Sequence, residues 1–263
     1  MDSARITPQA ARSSATTAQR PAVRWNRAMS IAATAGFAIV LARAVFYFAQ
    51  MPDRDGAVGV DYRLYVGAAQ RWLETGQFYW PAQVAGPYHV HDLPSILYPP
   101  PILYLLVPFT VLPGVLYWLI PAVLTVIAFW RLRPAPWSVM AIIVLAAVGF
   151  VQGPVFWGTP VFWLVPAVAW GGLLGWPAPF VLLKPTLAPF ALVGLRRPRG
   201  FVLGIGLIAV LSLPLVGLWG DWFAAIRNSD LSPTYGLEQV VLLLIPLLAV
   251  LGSTRSRGKV ATG

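Results

Sequence analysis

From Ile96 to Trp130 the chain carries no charged side chain, and that run decides what kind of body it can form. About twenty apolar residues suffice for one helical crossing of a bilayer, so this stretch is too long for a single span. The Pro113-Gly114 pair inside it is a turn signal and divides it into a hairpin of two short spans. The same reading gives spans at Met29 to Gln50, Trp137 to about Gln152 and Pro160 to Trp176. Others follow at Phe180 to Leu195, Phe201 to Trp219 and Leu237 to Leu251. The expected fold is all-α, a polytopic integral membrane protein of about eight transmembrane helices. Composition agrees: 58% of the 263 residues are hydrophobic and 11% are charged, against about 25% charged in soluble domains. The 25 prolines and 23 glycines imply broken or kinked helices, which membranes tolerate where neighbouring helices satisfy the freed backbone groups.

The net charge of +10 belongs to topology more than to a nucleic-acid surface, because the basic residues gather at the ends and in short loops between apolar runs. Residues 1–28, rich in Ser, Thr, Ala and Arg without apolar periodicity, read as a disordered basic cytosolic arm. Residues 29–252 form the transmembrane domain, with 51–95 as its first extracytoplasmic loop, and 253–263 as a basic cytosolic tail. Both ends then lie in the cytosol and the protein in the plasma membrane. This arrangement puts Arg131 and Arg133 outside, against the positive-inside trend, unless one of the Pro-rich segments is re-entrant. The absence of cysteine excludes disulfides and thiolate metal sites. No phosphate-cradling glycine loop and no G-x-S-x-G elbow occurs.

Five of the nine acidic residues (Asp53, Asp55, Asp61, Glu74, Asp92) and both histidines fall in the 51–95 loop. Within it, Tyr62, Tyr65, Val66, Ala69, Trp72 and Leu73 recur at the spacing of one helical face. The spacing predicts an amphipathic helix ending near Gly76 and lying on the bilayer surface. Asp61 at its start has two readings: a general base for an acceptor hydroxyl, or a helix cap favoured by the N-terminal dipole. Arg43, inside the first span, is either the partner of a phosphate or acid, or snorkels to the interface. Lys184 interrupts an apolar run and is followed by Pro185, which breaks the helix and suits a binding crevice; its ammonium is a natural point charge for phosphate. His89 and His91 with Asp92 are too few ligands to read as a metal centre; they read as acceptor or phosphate contacts or as a plain polar loop. No metal and no cofactor is expected.

The order Asp61-x3-Tyr65-x2-Ala68-Ala69-x2-Trp72-x3-Gly76-x2-Tyr79, then Tyr98-Pro99-Pro100 and Pro108, resembles the first extracytoplasmic loop of the glycosyltransferase 87 family. Lys184-Pro185, followed by Arg196-Arg197, is similar to that family's later Lys-Pro segment, although Thr186 stands where the family often has Gln. The resemblance runs from about residue 30 to 200. It implies a GT-C fold and an inverting transfer of a sugar, as in α-1,2-mannosyltransferases, from a polyprenyl-phosphate donor to a lipid or glycan acceptor. Asp61 matches the position of the catalytic base. Arg43 and Lys184 are then expected to hold the donor phosphate, and Tyr65, His89, His91 and Tyr98 to contact substrate. The chain is shorter than is usual in that family, which keeps two rivals open: a non-catalytic accessory protein of the same fold, and a small transporter.

Overall fold

A computed structural model describes residues 59–90, 95–147, 152–231 and 236–253. The expected arm 1–28, the first span with Arg43, the acids Asp53 and Asp55, His91 with Asp92, and the basic tail from residue 254 lie outside the described residues. Among the described residues all regular structure is helical, and the only strand-like pairings are the isolated bridges Tyr88 to Ser229 and Pro134 to Ser253.

The α-helices are α1 (Val60–Thr75), α2 (Pro81–Ala85), α3 (Leu103–Leu106), α4 (Val115–Leu132), α5 (Pro136–Ala147), α6 (Gln152–Trp157), α7 (Leu164–Leu174), α8 (Pro198–Ser212), α9 (Gly217–Asn228) and α10 (Leu237–Leu251). Between them run 3₁₀ segments, notably Pro100–Ile102, Val107–Thr110, Ala178–Leu183 and Pro185–Arg196. Among the described residues two helical stretches are long and apolar enough to cross a membrane, Val115–Leu132 and Pro198–Leu215, with mean hydropathy 1.8 and 1.7.

Contacts at the helix ends fix the direction of each pass. α4 starts beside α1, where Tyr117 packs on Tyr62. It finishes at the opposite end, where the Ser253 hydroxyl donates to the Leu132 carbonyl and the Ala135 N–H to the Gly252 carbonyl. α5 and α6 return to α1: the Gly59 N–H donates to the Phe156 carbonyl, and the Trp118 indole to that of Val155. α7 descends again to Gly175, which lies against Arg197. α8 climbs to α9, which packs on α2, and α10 descends to Ser253.

Two proline-rich segments do not pass through; each turns back to the end it started from. The upper hairpin leaves α1's neighbourhood at Tyr98, whose ring meets Tyr65, and returns at Gly114, which lies against the Tyr62 hydroxyl. The lower hairpin leaves at Ala178 and returns at Gly194, which touches Ala178 and Gly175; Lys184 is its tip. This corrects the reading of Ile96 to Trp130 as two crossings. The limb Pro100–Thr110 is broken into three short helical pieces and packs against α1. Arg131 and Arg133 consequently share the lower end with Arg196, whose guanidinium donates to the Val250 carbonyl. Arg131 itself stacks over Trp170 at 5.1 Å.

The face predicted for α1 is apolar in the structure, but it is spent on protein. Tyr65 and Ala69 are buried with Ala68, and Tyr62, Val66 and Trp72 pack on the core; only Leu73 is largely exposed. Gly76, in the left-handed region at φ 77°, ends the helix and donates to the Trp72 carbonyl, the role glycine fills without a Cβ penalty.

α8 closely approaches the end of α7 and the turn after it through Gly200 and Gly204, where a Cβ would collide with the Leu174 and Trp176 carbonyl oxygens. Small residues four apart allow such close approach of backbones. Gly204→Ala is therefore expected to cost about 1–3 kcal/mol by overpacking. Gly206→Ala, with nothing within 4 Å of the added carbon, is expected to cost nothing measurable. Thermal unfolding of the two variants in detergent checks both.

Candidate functional site

The site begins with the loop that follows α1. Arg71 turns the chain after Gly76 by donating to the Gln77 and Phe78 carbonyls and stacking on the Trp80 ring at 3.7 Å. The Tyr79 hydroxyl then donates to the Tyr98 carbonyl at 2.8 Å. Further along, the fully buried Gln83 amide donates to the Tyr88 hydroxyl and its carbonyl accepts from the Ile96 N–H. α9 clamps the loop from the other side. Asn228 donates to the Gln83 and Val84 carbonyls, and Trp222 to the Leu97 carbonyl. A loop in which most polar groups are paired in this way is a fixed wall.

Tyr98 is the centre of the wall. It is buried, its ring stands edge-on to Tyr65 at 5.2 Å, and its hydroxyl lies 3.5 Å from that of Thr159. The Lys184 ammonium sits 4.9 Å from the centroid of the same ring, a cation–π contact. Lys184 reaches it because Pro185 disfavours a helical conformation in the residue before it. Lys184 is accordingly extended, at φ −127° and ψ 90°, between the two 3₁₀ limbs. Only 4% of its surface is exposed.

Asp61 faces this group from the first turn of α1. The residue preceding the helix is Gly59, in the left-handed region, and no side chain caps it; Asp61 lies in the first turn, where its charge still suits the helix dipole. The carboxyl is half-buried, and burial pushes it up from 3.8 to about 6, against the opposing pull of the Lys184 charge. A carboxyl poised there is largely ionised at neutral pH yet basic enough to take a proton from a hydroxyl. Lys184 beside it can hold an anion.

Below Lys184 an apolar groove of about 560 Å³ opens, with Pro101, Tyr104, Trp163, Trp176, Phe180 and Leu183 among its walls. The Trp163 indole N–H is buried without a partner among the described residues.

Of the residues singled out in the sequence, Asp61, Tyr65, Tyr98 and Lys184 come together. His89 is engaged elsewhere: its Nδ1 pairs with Asp230 at 2.6 Å, both side chains largely exposed, and the Val90 N–H donates to the same carboxylate. These bonds hold the Asp230 carboxyl below its usual range, the His89 contact most of all. Among the described residues no group of three or more His, Cys, Asp and Glu side chains is placed to hold a metal. Tyr117, Thr159 and Trp163 are additions that sequence reasoning missed, since an aromatic or threonine in an apolar run carries no signal of its own. Comparison of the chain with protein-family models, curated proteins and solved structures gives no match.

The Asp61 shift sets the sign of a stability effect. The folded carboxyl holds its proton more tightly than the unfolded one, so the cost of its charge is absent below 3.8. It grows as the pH rises through the interval and is complete above about 6, where it amounts to at most about 3 kcal/mol. Asp61→Asn is expected to raise the thermal midpoint at pH 7–8, the gain fading toward pH 4. A gain equal at every pH contradicts the burial argument.

Proposed function

We propose that the chain is an integral membrane glycosyltransferase of the GT-C kind, moving a sugar from a polyprenyl-phosphate donor to a hydroxyl acceptor at the extracytoplasmic face. The observation that carries this reading is that the half-buried Asp61 carboxyl feels the charge of the buried Lys184, whose neighbour Leu183 lines the apolar groove. A base, a cation and a dry groove are what such a donor and acceptor require, and the sequence resemblance to the glycosyltransferase 87 family points the same way, with mannose as the favoured sugar.

The chemistry follows from the geometry. Asp61 takes the proton of the acceptor hydroxyl while the hydroxyl oxygen bonds to the anomeric carbon from the side opposite the phosphate. The bond from that carbon to the phosphate oxygen breaks, its electron pair leaves with the polyprenyl phosphate, and the centre inverts. Lys184 holds the phosphate charge, and the groove takes the first part of the lipid tail. Orientation in the membrane follows from charge. Arg131, Arg133, Arg196, Arg197 and Arg199 cluster at the lower end, the side that faces the cytosol under the positive-inside trend, which leaves Asp61 outside. The multi-pass placement in the plasma membrane is part of the same reading.

The test is sugar transfer from a polyprenyl-phosphate donor by the full chain in lipid. Asp61→Asn is expected to lower the rate by about 10²–10⁴-fold, and Lys184→Gln to weaken donor binding. Transfer by Asp61→Asn at the wild-type rate would remove the proposed base. Mass spectrometry of lipid co-purified with the protein is expected to show a polyprenyl phosphate or its glycoside.

A further inference from the structure

Tyr117 on α4 carries a hydroxyl that the chemistry above leaves without a role. The residue has no exposed surface, and among the described residues its hydroxyl has no hydrogen-bond partner. An orphaned buried hydroxyl costs about 1–3 kcal/mol, and such groups are uncommon enough that each needs a reason. Its ring cannot swing away to find a partner. It is wedged among Tyr62 at 4.9 Å, Phe109 at 5.1 Å, Trp118 at 5.3 Å and Trp163 at 5.9 Å. A partner for this hydroxyl must come to it.

The group able to do so is the Asp61 carboxyl, which lies within electrostatic reach of the Tyr117 hydroxyl and turns on two single bonds. Other groups also face Asp61. Lys184, at the tip of the lower hairpin, lies over the Tyr98 ring. The Tyr98 hydroxyl, from the upper hairpin, meets Thr159. The Tyr62 hydroxyl, on α1 itself, lies beside Gly114 at the end of the upper hairpin, and its ring packs on that of Tyr117 at 4.9 Å. Arg63, the next charged residue of α1, is exposed.

We propose that Tyr117 is a positioning residue for Asp61, its hydroxyl donating to the carboxylate once that group has lost its proton and so aiming it at the acceptor. The inference deepens the reading of Asp61 as a base, and it gives the carboxylate a second support beside Lys184. A protonated Asp61 has no need of this donor; a charged one does, because each donor to a half-buried carboxylate favours its charged form. The pair therefore works as a latch that closes on deprotonation.

The test is an infrared titration of the full chain in lipid nanodiscs, following the carboxyl band that Asp61→Asn abolishes. Tyr117→Phe, which removes one oxygen and keeps every ring contact, is expected to raise the midpoint by roughly one pH unit. A ring-fluorinated tyrosine at the same position, a stronger donor of nearly equal shape, is expected to lower it. The acidic limb of the transfer rate should move with the midpoint in both. An unchanged midpoint in both variants overturns the proposal, as does a shift produced by Tyr98→Phe and not by Tyr117→Phe. The titration needs no turnover, so the role of Tyr117 is decided even in a protein that transfers no sugar.

Discussion

The upper end of this molecule depends on the contacts of one side chain, Tyr98. Its ring receives the Lys184 ammonium and the edge of Tyr65, its hydroxyl meets Thr159, and its backbone carbonyl accepts from Tyr79. Those partners come from the lower hairpin, α1, the start of the α7 pass and the loop after α1. A polar aromatic suits this junction, because its faces hold a cation and an edge while its oxygen satisfies a buried hydroxyl. Removing the ring would leave the ammonium without the surface that accommodates it in a site with almost no access to water.

The site is expensive, and the cost explains its shape. Lys184 is nearly all buried and Asp61 half so, and burial disfavours the charged form of the Asp61 carboxyl. Their opposite signs offset part of this, which is why the Asp61 carboxyl stops near 6. Placing the lysine at a proline-forced break rather than within a helix matters as well. The extended residue projects a charge from the tip of a hairpin, and its own carbonyl is taken by the Leu187 N–H. The upper hairpin covers this break from one side, through the Tyr98 ring against the ammonium.

Much of this was legible in the residues. Gly76 ends α1 and Pro113-Gly114 turns the chain, because glycine and proline act through local backbone geometry that needs no tertiary knowledge. α10 runs from Leu237 to Leu251, the expected bounds, since glycine lies on either side. Asp61, Tyr65, Tyr98 and Lys184 stood out because each is a polar or aromatic side chain in a patterned place, and they do converge. What failed was the inference from hydropathy to crossing. Pro100–Thr110 and Ala178–Arg196 each turn back to the end they start from, with one face packed on other segments and Tyr104, Leu192 and Leu195 exposed, and an apolar count does not distinguish a returning limb from a crossing one. The pairing of His89 was not legible: its partner Asp230 lies 141 positions away, and nothing local announces it. Tyr117 looked like any aromatic in a span.

The returning limb of the lower hairpin has a mechanical consequence. Pro185–Arg196 is twelve residues of 3₁₀-helix, a form that rarely persists beyond three or four because its hydrogen bonds are poorer. It rises about 2.0 Å per residue, against 1.5 Å in an α-helix. Rewound into α-helix, the same limb would be about 6 Å shorter. The reach of Lys184 is thus set by the extended winding of its own support, whose far end is anchored to α10 through Arg196.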